Sequence, residues 1–536
     1  MNRIALPAAA FAAGLVHAAS FAPLNLWWLQ LLALAAGLRL ACHSRSPGWS
    51  GWLFGFGWFV SGVAWLYISM HRYGGMPAPL AATALALFAL YLGAFAAASF
   101  ALAAPALRAV LNGHTTRAAG VVAAVLGFAA LWGASELARG WLFTGFPWLS
   151  AGYAHVDGPL AGAAPWVGVH GVGALAAAVA AALALVGPRP DNVGPRPPGK
   201  RRVMAALIAI AALPLAAGLA LAPIHWSEPV GEPIEVRLLQ GNVPQQMKFD
   251  PQRSLAAMQA YANAIAAAPA DLVVLPETAW TLPWSRTPAA IADRITGSLA
   301  EGAVATIGMP LPASDRRGQP TLSNSVAAIG RHGPLAWRYD KRHLVPFGEF
   351  VPPGFGWFVR MMAIPLGDFG RGGPDQPALT VRDQQVAFNI CYEDIFGELL
   401  APQVRAGATI LVNVTNIAWF GDSHALPQHL QIARMRAIEL ARPMLRATNT
   451  GVTAAIDARG RVEAALEHYS EGALTVSLRG ATGLTPYARA GTLAPLALVA
   501  LFALAARVLR NRPDRGGAAR PRPTRAGAAS SKGLPR

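Results

Sequence analysis

The chain has few charged residues and few cysteines for its length. Of its 536 residues, 13% are charged and 54% are hydrophobic. Soluble globular proteins carry about a quarter charged residues, so this scarcity excludes a chain that is soluble throughout. The two cysteines, Cys42 and Cys391, lie in segments of unlike character, which excludes a disulfide framework. Cys42 ends an apolar stretch and is interpreted as buried packing, whereas Cys391 has no cysteine partner in its own part of the chain.

Long apolar segments take the place of the missing charge. A helix of about 20 apolar residues crosses the hydrocarbon core of a bilayer. Eight segments fit this length, at residues 4–22, 26–42, 51–70, 78–104, 118–138, 160–187, 203–223 and 490–508. The first can instead be a cleavable signal peptide, because a short basic start precedes it and small residues follow it. A second apolar run follows almost at once, which favours a retained helix.

Acidic residues are also outnumbered, and the net charge is +17. The basic residues cluster in alternate loops and in the tail. Those in the loops are Arg45, Arg108, Arg117, Arg189, Arg196, Lys200, Arg201 and Arg202. With the N-terminus in the cytoplasm, the positive-inside rule places residues 225–488 outside and the arginine-rich tail inside. Membrane orientation thus accounts for the basic charge, and no nucleic-acid partner is expected.

Residues 225–488 have a different pattern, in which charges return and short strand-like runs alternate with helical ones. The predicted strands are 234–239, 272–275, 304–307, 325–329, 386–390, 409–414, 444–447, 453–456 and 473–476, and the predicted helices are 252–267, 289–300, 397–406 and 427–440. This alternation predicts an α/β layered domain. The expected domains are a transmembrane domain of about seven helices at 1–224, an extracytoplasmic domain at 225–488, a transmembrane helix at 489–509 and a basic, disordered tail at 510–536.

Cys391 stands where a predicted strand ends and acidic residues open a turn. Backbone N–H groups at such a turn lower the pKa of a thiol and can hold an oxyanion. A buried core cysteine explains this segment alone equally well. An unpaired cysteine in an oxidising compartment needs a reason to persist, which favours a nucleophile.

Two other segments carry ionisable residues that can serve a nucleophile. Glu277 follows a buried strand, at the position where sites of α/β folds gather, and can act as a general base. A surface carboxylate is the alternative. Lys341 can supply positive charge to an oxyanion, or belong to a solvated charge cluster with its neighbours, and His343 is interpreted as an ordinary loop histidine. No His and carboxylate arrangement has metal-ligand spacing, so no metal and no cofactor are expected.

Together these motifs resemble the nitrilase superfamily. Leu-Pro-Glu at 275–277, Tyr-Asp-Lys at 339–341 and Cys-Tyr-Glu at 391–393 look like its Glu-Lys-Cys signature. The whole chain apart from the tail resembles the membrane-bound branch, the bacterial apolipoprotein N-acyltransferases. Further segments that carry the likeness are 140–141, 144–148, 240–242, 344–349, 418–423, 433–437, 449–451 and 485–489.

The resemblance implies a fold and a set of roles. The fold is a polytopic α-helical membrane domain plus a nitrilase-like α-β-β-α sandwich. Cys391 is the implied nucleophile, Glu277 the general base and Lys341 the stabiliser of the tetrahedral intermediate. The implied supporting or substrate-binding residues are Glu349, Tyr392, Glu393 and Trp419; Trp357 joins them because it lies in an apolar stretch that suits a lipid contact. Two positions depart from the family pattern: Ile417 stands where an Asp is expected, and Phe249 where a Trp is usual.

The resemblance also implies a reaction and a location. The family takes an acyl chain from a phospholipid, through a cysteine thioester, to the α-amino group of the N-terminal diacylglyceryl-cysteine of an apolipoprotein. The expected partners are therefore a phospholipid acyl donor, a diacylglyceryl-modified apolipoprotein acceptor and membrane lipid. The expected location is the bacterial inner membrane, crossed several times, with the catalytic domain on the periplasmic side.

Alternatives to a lipid substrate are distinguished by the apolar parts of the chain. A membrane-tethered amidase acting on a small amide would use the same three residues. The stretch 350–364 is rich in Phe, Trp and Met, which suits a lipid groove or, equally, packing against the helices. A transporter with an appended domain is the other class, but Glu136 is the only acidic residue in a predicted crossing and lies near its end.

Overall fold

A computed structural model describes residues 5–186, 200–245, 250–315, 318–359 and 369–511. All eight predicted apolar segments contain a helix. The first seven hold α1 (Ala5–Ala18), α2 (Trp27–His43), α3 (Pro47–Gly62), α4 (Trp65–Ile68), α5 (Ala78–Leu111), α6 (Ala118–Trp141), α7 (Ala164–Leu185) and α8 (Lys200–Leu221). The α4 helix runs on into a π-helical turn, Ser69–Tyr73. The tail and Phe249 lie outside the described residues.

Not every apolar helix is long enough to cross a bilayer alone. By length and composition, five helices in the described part of the chain qualify: Ala78–Leu111, Ala118–Thr144, Pro159–Leu185, Arg201–Leu221 and Leu493–Arg510. The α3 helix and the segment Trp65–Tyr73, which meet at an angle of 53°, make a sixth if they count as one span. The α1 helix has 14 residues, about 21 Å, which is shorter than the hydrocarbon core. The number of crossings therefore stays a prediction.

Small residues let the membrane helices approach closely. Gly14 of α1 and Gly57 of α3 face the partner backbone, and a Cβ at Gly14 would lie 2.0 Å from the carbonyl oxygen of Phe54. The first apolar segment thus packs closely against α3.

Among the described residues after α8, twelve strands are found: β1 (Glu228–Gln240), β2 (Leu272–Val274), β3 (Val304–Ser314), β4 (Pro320–Gly330), β5 (Gly333–Asp340), β6 (Leu379–Val381), β7 (Gln384–Ile390), β8 (Ile410–Thr415), β9 (Met444–Thr448), β10 (Ala454–Ile456), β11 (Val462–Ala465) and β12 (Gly472–Thr482). They form two six-stranded sheets, β12-β1-β2-β3-β4-β5 and β11-β10-β9-β8-β7-β6. The central pairs β1–β2, β2–β3, β7–β8 and β8–β9 are parallel. All nine predicted strands are found, with shifted ends, whereas β5, β6 and β11 were missed.

Helices cover both outer faces of the paired sheets. The remaining helices are α9 (Pro251–Ala266), α10 (Ala289–Ser298), α11 (Gly356–Val359), α12 (Gly397–Arg405), α13 (Ala425–Leu440), α14 (Pro486–Ala490) and α15 (Leu493–Arg510). Val236, Val274, Phe388 and Val412 belong to the core between the sheets. One outer core forms with α9 and α10, and the other with α12 and α13. This arrangement confirms the predicted α-β-β-α sandwich.

The α13 layer also contacts the membrane helices. Ile432 and Met435 of α13 belong to the same apolar cluster as Trp132 of α6 and Val172 of α7. The membrane part therefore packs against the layer of the sandwich that carries α13, near the ends of β7 and β8.

Candidate active site

Cys391 follows β7 directly and opens a short 3-10 helix, Cys391–Ile395, which we call the cysteine turn. The backbone of Cys391 has a φ of +53°. Residues with a side chain enter this left-handed region at a cost of about 1–3 kcal/mol, and such strain clusters at functional sites. The conformation persists only where surrounding contacts hold it, so the contacts of the turn matter for the position of the thiol.

The environment of Cys391 favours the protonated thiol. Burial raises its pKa well above the ordinary value, and the negative charge of Glu277 acts in the same direction against the opposing charge of Lys341. The sequence-based expectation of a lowered pKa is wrong, because a buried thiolate loses more solvation than the nearby positive charge returns. A thiol in this environment would need a base to act as a nucleophile.

Glu277, the candidate base, lies three residues after β2 ends. Its Oε2 accepts a hydrogen bond from the backbone N–H of Asn416 at 2.8 Å, and its Oε1 accepts from Asn324 Nδ2 at 2.7 Å. Lys341 Nζ lies 3.2 Å from the same Oε1. Burial by itself raises the pKa of Glu277, but Lys341 and these hydrogen bonds outweigh burial and lower the pKa below its ordinary value. The side chain is thus a carboxylate at neutral pH.

Lys341 follows β5 and is only 1% exposed. Its Nζ donates to Glu277 and also to Oε1 of Glu349, at 3.0 Å. Burial lowers the pKa of Lys341, but the two carboxylates outweigh it and raise the pKa above the ordinary value. Lys341 is a buried cation between two carboxylates, so the alternative of a solvated charge cluster is wrong for this residue.

Glu349 completes the charged group. Besides Lys341, it accepts hydrogen bonds from Asn324 Nδ2 at 2.7 Å and from the backbone N–H of Val345 at 2.8 Å. The amide of Asn324 therefore donates to both carboxylates, and its backbone carbonyl accepts from the N–H of Lys341 at 2.8 Å. We call Glu277, Lys341, Glu349 and Asn324 the charged cluster.

Glu393 connects the cysteine turn to the segment around Lys341. It is fully buried and accepts four hydrogen bonds, from Tyr339 Oη at 2.9 Å and from the backbone N–H groups of Ile390, Arg342 and His343 at 2.7, 2.7 and 3.1 Å. Burial raises its pKa, and the backbone donors oppose that effect. Glu393 therefore fixes the relative position of the cysteine and the lysine.

The other residues expected at the site are not members of the charged cluster. Tyr392 Oη donates to the carbonyl oxygen of Gly145, in the loop after α6, at 3.0 Å. The Trp419 ring lies 6.1 Å from the ring of Tyr73. Trp357 belongs to α11, in the apolar stretch, and is 56% exposed. Ile417, where the family pattern has an acid, is buried.

The sequence of this chain matches two known protein domains. Residues 13–182 match the Apolipoprotein N-acyltransferase N-terminal domain, and residues 235–487 match the Carbon-nitrogen hydrolase domain. Over 95% of this chain and 94% of its own length, a protein of Ralstonia nicotianae named apolipoprotein N-acyltransferase is 47% identical. The proteins of that name from Nitrosomonas europaea and Pseudomonas aeruginosa are 41% and 37% identical, over 93% and 94% of this chain and 96% of each relative.

The chain belongs to the apolipoprotein N-acyltransferase family. It is therefore an acyltransferase with a nitrilase-like domain and apolar membrane helices, and the predicted resemblance is confirmed. Among solved structures, an amidase from Nesterenkonia is 20% identical, with a TM-score of 0.34 over 49% of this chain and 95% of that chain.

Sequence reasoning missed the amides that hold the carboxylates. Asn324 was not singled out, and Asn416 was not either, although its backbone donates to Glu277. The side chain of Asn416 donates to Gln245 at 2.8 Å and accepts from Asn449 at 3.0 Å. Asn449 did stand in a segment that carried the family likeness, but nothing in that segment indicated its partner. These residues come from separate strands and loops, so local pattern gave no signal of their contact.

Proposed function

We propose that this protein transfers an acyl chain from a phospholipid to the α-amino group of a diacylglyceryl-modified apolipoprotein, through a thioester on Cys391. The observation that carries the proposal is the geometry of the charged cluster beside the cysteine turn. A buried protonated thiol needs a base, and a buried carboxylate with a lowered pKa acts on it electrostatically. The family relationship supplies the class of substrate.

In the first step, the sulfur of Cys391 attacks the ester carbonyl carbon of the phospholipid. Glu277 takes the thiol proton as the carbon–sulfur bond forms. The negative charge then lies on the former carbonyl oxygen, and an ammonium group is the natural counter-charge. Lys341 has three N–H donors and donates two of them to Glu277 and Glu349. The third is available to the oxyanion.

Collapse of this intermediate breaks the bond between the carbonyl carbon and the glycerol oxygen. The leaving oxygen takes the proton back from Glu277, and the lysophospholipid departs from a thioester on Cys391. In the second step, the amine of the acceptor attacks the thioester carbon. Its proton passes through Glu277 to the departing sulfur, which restores the thiol and leaves an amide. A covalent intermediate lets two lipid substrates use one site in turn.

The distribution of basic residues and the family relationship support a proposal for the cellular location of the protein. We propose that the protein lies in the bacterial inner membrane, with its catalytic domain on the periplasmic side and its tail in the cytoplasm. Phospholipid and lipidated acceptor are both membrane-anchored, so the helices keep the site within reach of both. Trp357 lies in the apolar stretch and is exposed, and we assign it to contact with the acyl donor.

Intact mass tests this function after incubation with phospholipid alone. We expect an increase equal to one acyl chain, which maps to Cys391 and is absent from Cys391→Ala. A thioester is also removed by neutral hydroxylamine, so that treatment returns the original mass. If small amides acylate the protein and phospholipid does not, the amidase alternative holds and the proposal fails.

A further inference from the structure

The cysteine turn is tied to the membrane domain at two points. Tyr392 Oη donates to the carbonyl oxygen of Gly145 at 3.0 Å. Tyr153 Oη, in the loop between α6 and α7, donates to the carbonyl oxygen of Ile395 at 3.1 Å. The second contact closes the turn that begins at Cys391, and Tyr153 is 1% exposed, so bulk water does not compete for it.

Buried charges hold Tyr153 in place. The guanidinium carbon of Arg436, on α13, lies 5.5 Å from the centre of the Tyr153 ring. Arg436 also pairs with Glu439 at 3.0 Å, and both are at most 1% exposed. An arginine placed over an aromatic face is attracted by the ring, most strongly where water is absent. The ring is therefore fixed by a charge of the catalytic domain while its hydroxyl reaches the cysteine turn.

The Glu439 carboxylate connects this group to a break in a membrane helix. Gly168 has a φ of +65° inside α7, which interrupts the helical hydrogen bonds there. The backbone N–H of Val169 is directed to Glu439 instead. A Cβ at Gly168 would lie 2.4 Å from the ring of Tyr487, so only glycine fits this position. The described contacts run from α7 through Glu439 and Arg436 to Tyr153.

We infer that Tyr153 is a positioning residue for Cys391 and that the membrane domain thereby holds the reactive cysteine in its left-handed conformation. The inference rests on the proposed function for the role of Cys391. The strained φ of +53° at Cys391 needs contacts that fix both ends of its turn. Tyr153 contributes one of these contacts and itself touches none of the reacting atoms. The extramembrane domain thus depends on the membrane domain for geometry as well as for access to lipid.

The substitution Tyr153→Phe tests this role because it removes one hydroxyl and keeps the ring. The measurement is made in a Cys42→Ala background, which leaves Cys391 as the single thiol of the chain. We expect alkylation of Cys391 by iodoacetamide at neutral pH to slow about 3- to 10-fold, the effect of one lost hydrogen bond on a barrier. The rate of lysophospholipid release in the first turnover should fall by the same factor, with the KM for phospholipid and the Tm in detergent unchanged.

Tyr91→Phe is the matched control, since Tyr91 is a partly buried tyrosine of the membrane helix α5. It should leave the alkylation rate unchanged. The inference is overturned if Tyr153→Phe alkylates at the wild-type rate, or if it lowers the Tm and the rate together as a general loss of stability would. Alkylation needs no phospholipid, so it decides the positioning role even if the acyl donor proves to be another compound and the proposed function fails.

Discussion

Lys341 Nζ lies 3.2 Å from Oε1 of Glu277, and the lysine is only 1% exposed. A buried ion pair is strongly destabilised when one partner is removed, because the other charge is left without compensation. Here Lys341 also faces Glu349, so its loss leaves two carboxylates together. In the proposed mechanism, the pair therefore decides both the charge state of the base and the field at the reacting carbonyl.

Lys341→Met removes the cation and keeps much of the side-chain volume. We expect the acylation rate constant to fall about 10²- to 10³-fold, as for loss of one group that stabilises an oxyanion. Stability should also fall, by about 3–5 kcal/mol if both carboxylates stay ionised. Single-turnover release of lysophospholipid and denaturant unfolding in detergent check the two effects. A variant that keeps the wild-type acylation rate would remove Lys341 from the mechanism.

The pH dependence of acylation reports the charge of Glu277. Its pKa is lowered in the folded protein, so folding favours the ionised form. The ionised Glu277 therefore stabilises the folded protein above the unfolded pKa of about 4.3, and this stabilisation is lost as pH falls through the folded pKa. The acylation rate constant should therefore stay level from pH 7 down past that ordinary pKa and decline only below it. In Lys341→Met the effect of burial dominates, so the decline should begin at higher pH. A wild-type midpoint at or above the ordinary pKa contradicts the assignment.

Cys391 should behave as a thiol of high pKa in the absence of lipid. Burial raises its pKa well above the ordinary value of about 8.5. The rate of its alkylation by iodoacetamide should keep rising with pH beyond that ordinary value. Glu277→Gln removes a negative charge that raises this pKa, so the rise should move to lower pH while acylation by phospholipid slows. A plateau below pH 8 in the wild type would contradict this description.

Asn324 is expected to matter because its amide donates to both carboxylates of the charged cluster. Asn324→Asp replaces this donor with a third negative charge beside one lysine. We expect the acylation rate to fall by about 10-fold or more, since each such hydrogen bond to a charged group is worth about 1.5–3 kcal/mol. Asn263→Asp, on the exposed face of α9, adds the same charge elsewhere and should have no effect. Equal rates for the two variants would show that Asn324 is dispensable.

Trp357 tests the assignment of the apolar stretch. The side chain is 56% exposed, so a charge there should not disturb the fold. If it contacts the acyl donor, Trp357→Glu raises the KM for long-chain phospholipid and leaves the Tm unchanged. Val462→Glu, at a 38% exposed position on β11, is the control and should leave the KM unchanged. An unchanged KM in Trp357→Glu would favour the alternative that this stretch only packs against the helices.

Reporter fusions test the orientation of the chain. A reporter that is active only outside the cytoplasm should work when fused at residue 300 and fail when fused at residue 515. The expected difference follows from the basic loops on one side of the membrane. Activity of the fusion at residue 515 would contradict the proposed orientation.

Much of the fold and site was predictable because the relevant signals are local. The strands that end before Glu277 and Cys391 are short apolar runs, and both were found. The β5 strand was missed because its exposed residues, among them Leu335, hide the alternation of an edge strand. The pKa of Cys391 was predicted in the wrong direction, since burial depends on the packed site and not on the turn alone. Asn324 and Tyr153 act through contacts distant in sequence, which no local pattern reports.

The most direct test of the central claim is a pulse and chase of the acyl chain. Enzyme is first incubated with phospholipid that carries a labelled acyl chain, then freed of unreacted lipid and mixed with a diacylglyceryl-modified apolipoprotein. The account predicts one labelled chain per active enzyme on Cys391, lysophospholipid released in the same amount, and transfer of the label to the acceptor amine at least as fast as steady-state turnover. Cys391→Ala should retain no label. Transfer by Cys391→Ala, or a labelled wild-type enzyme that cannot pass its label on, would contradict the account.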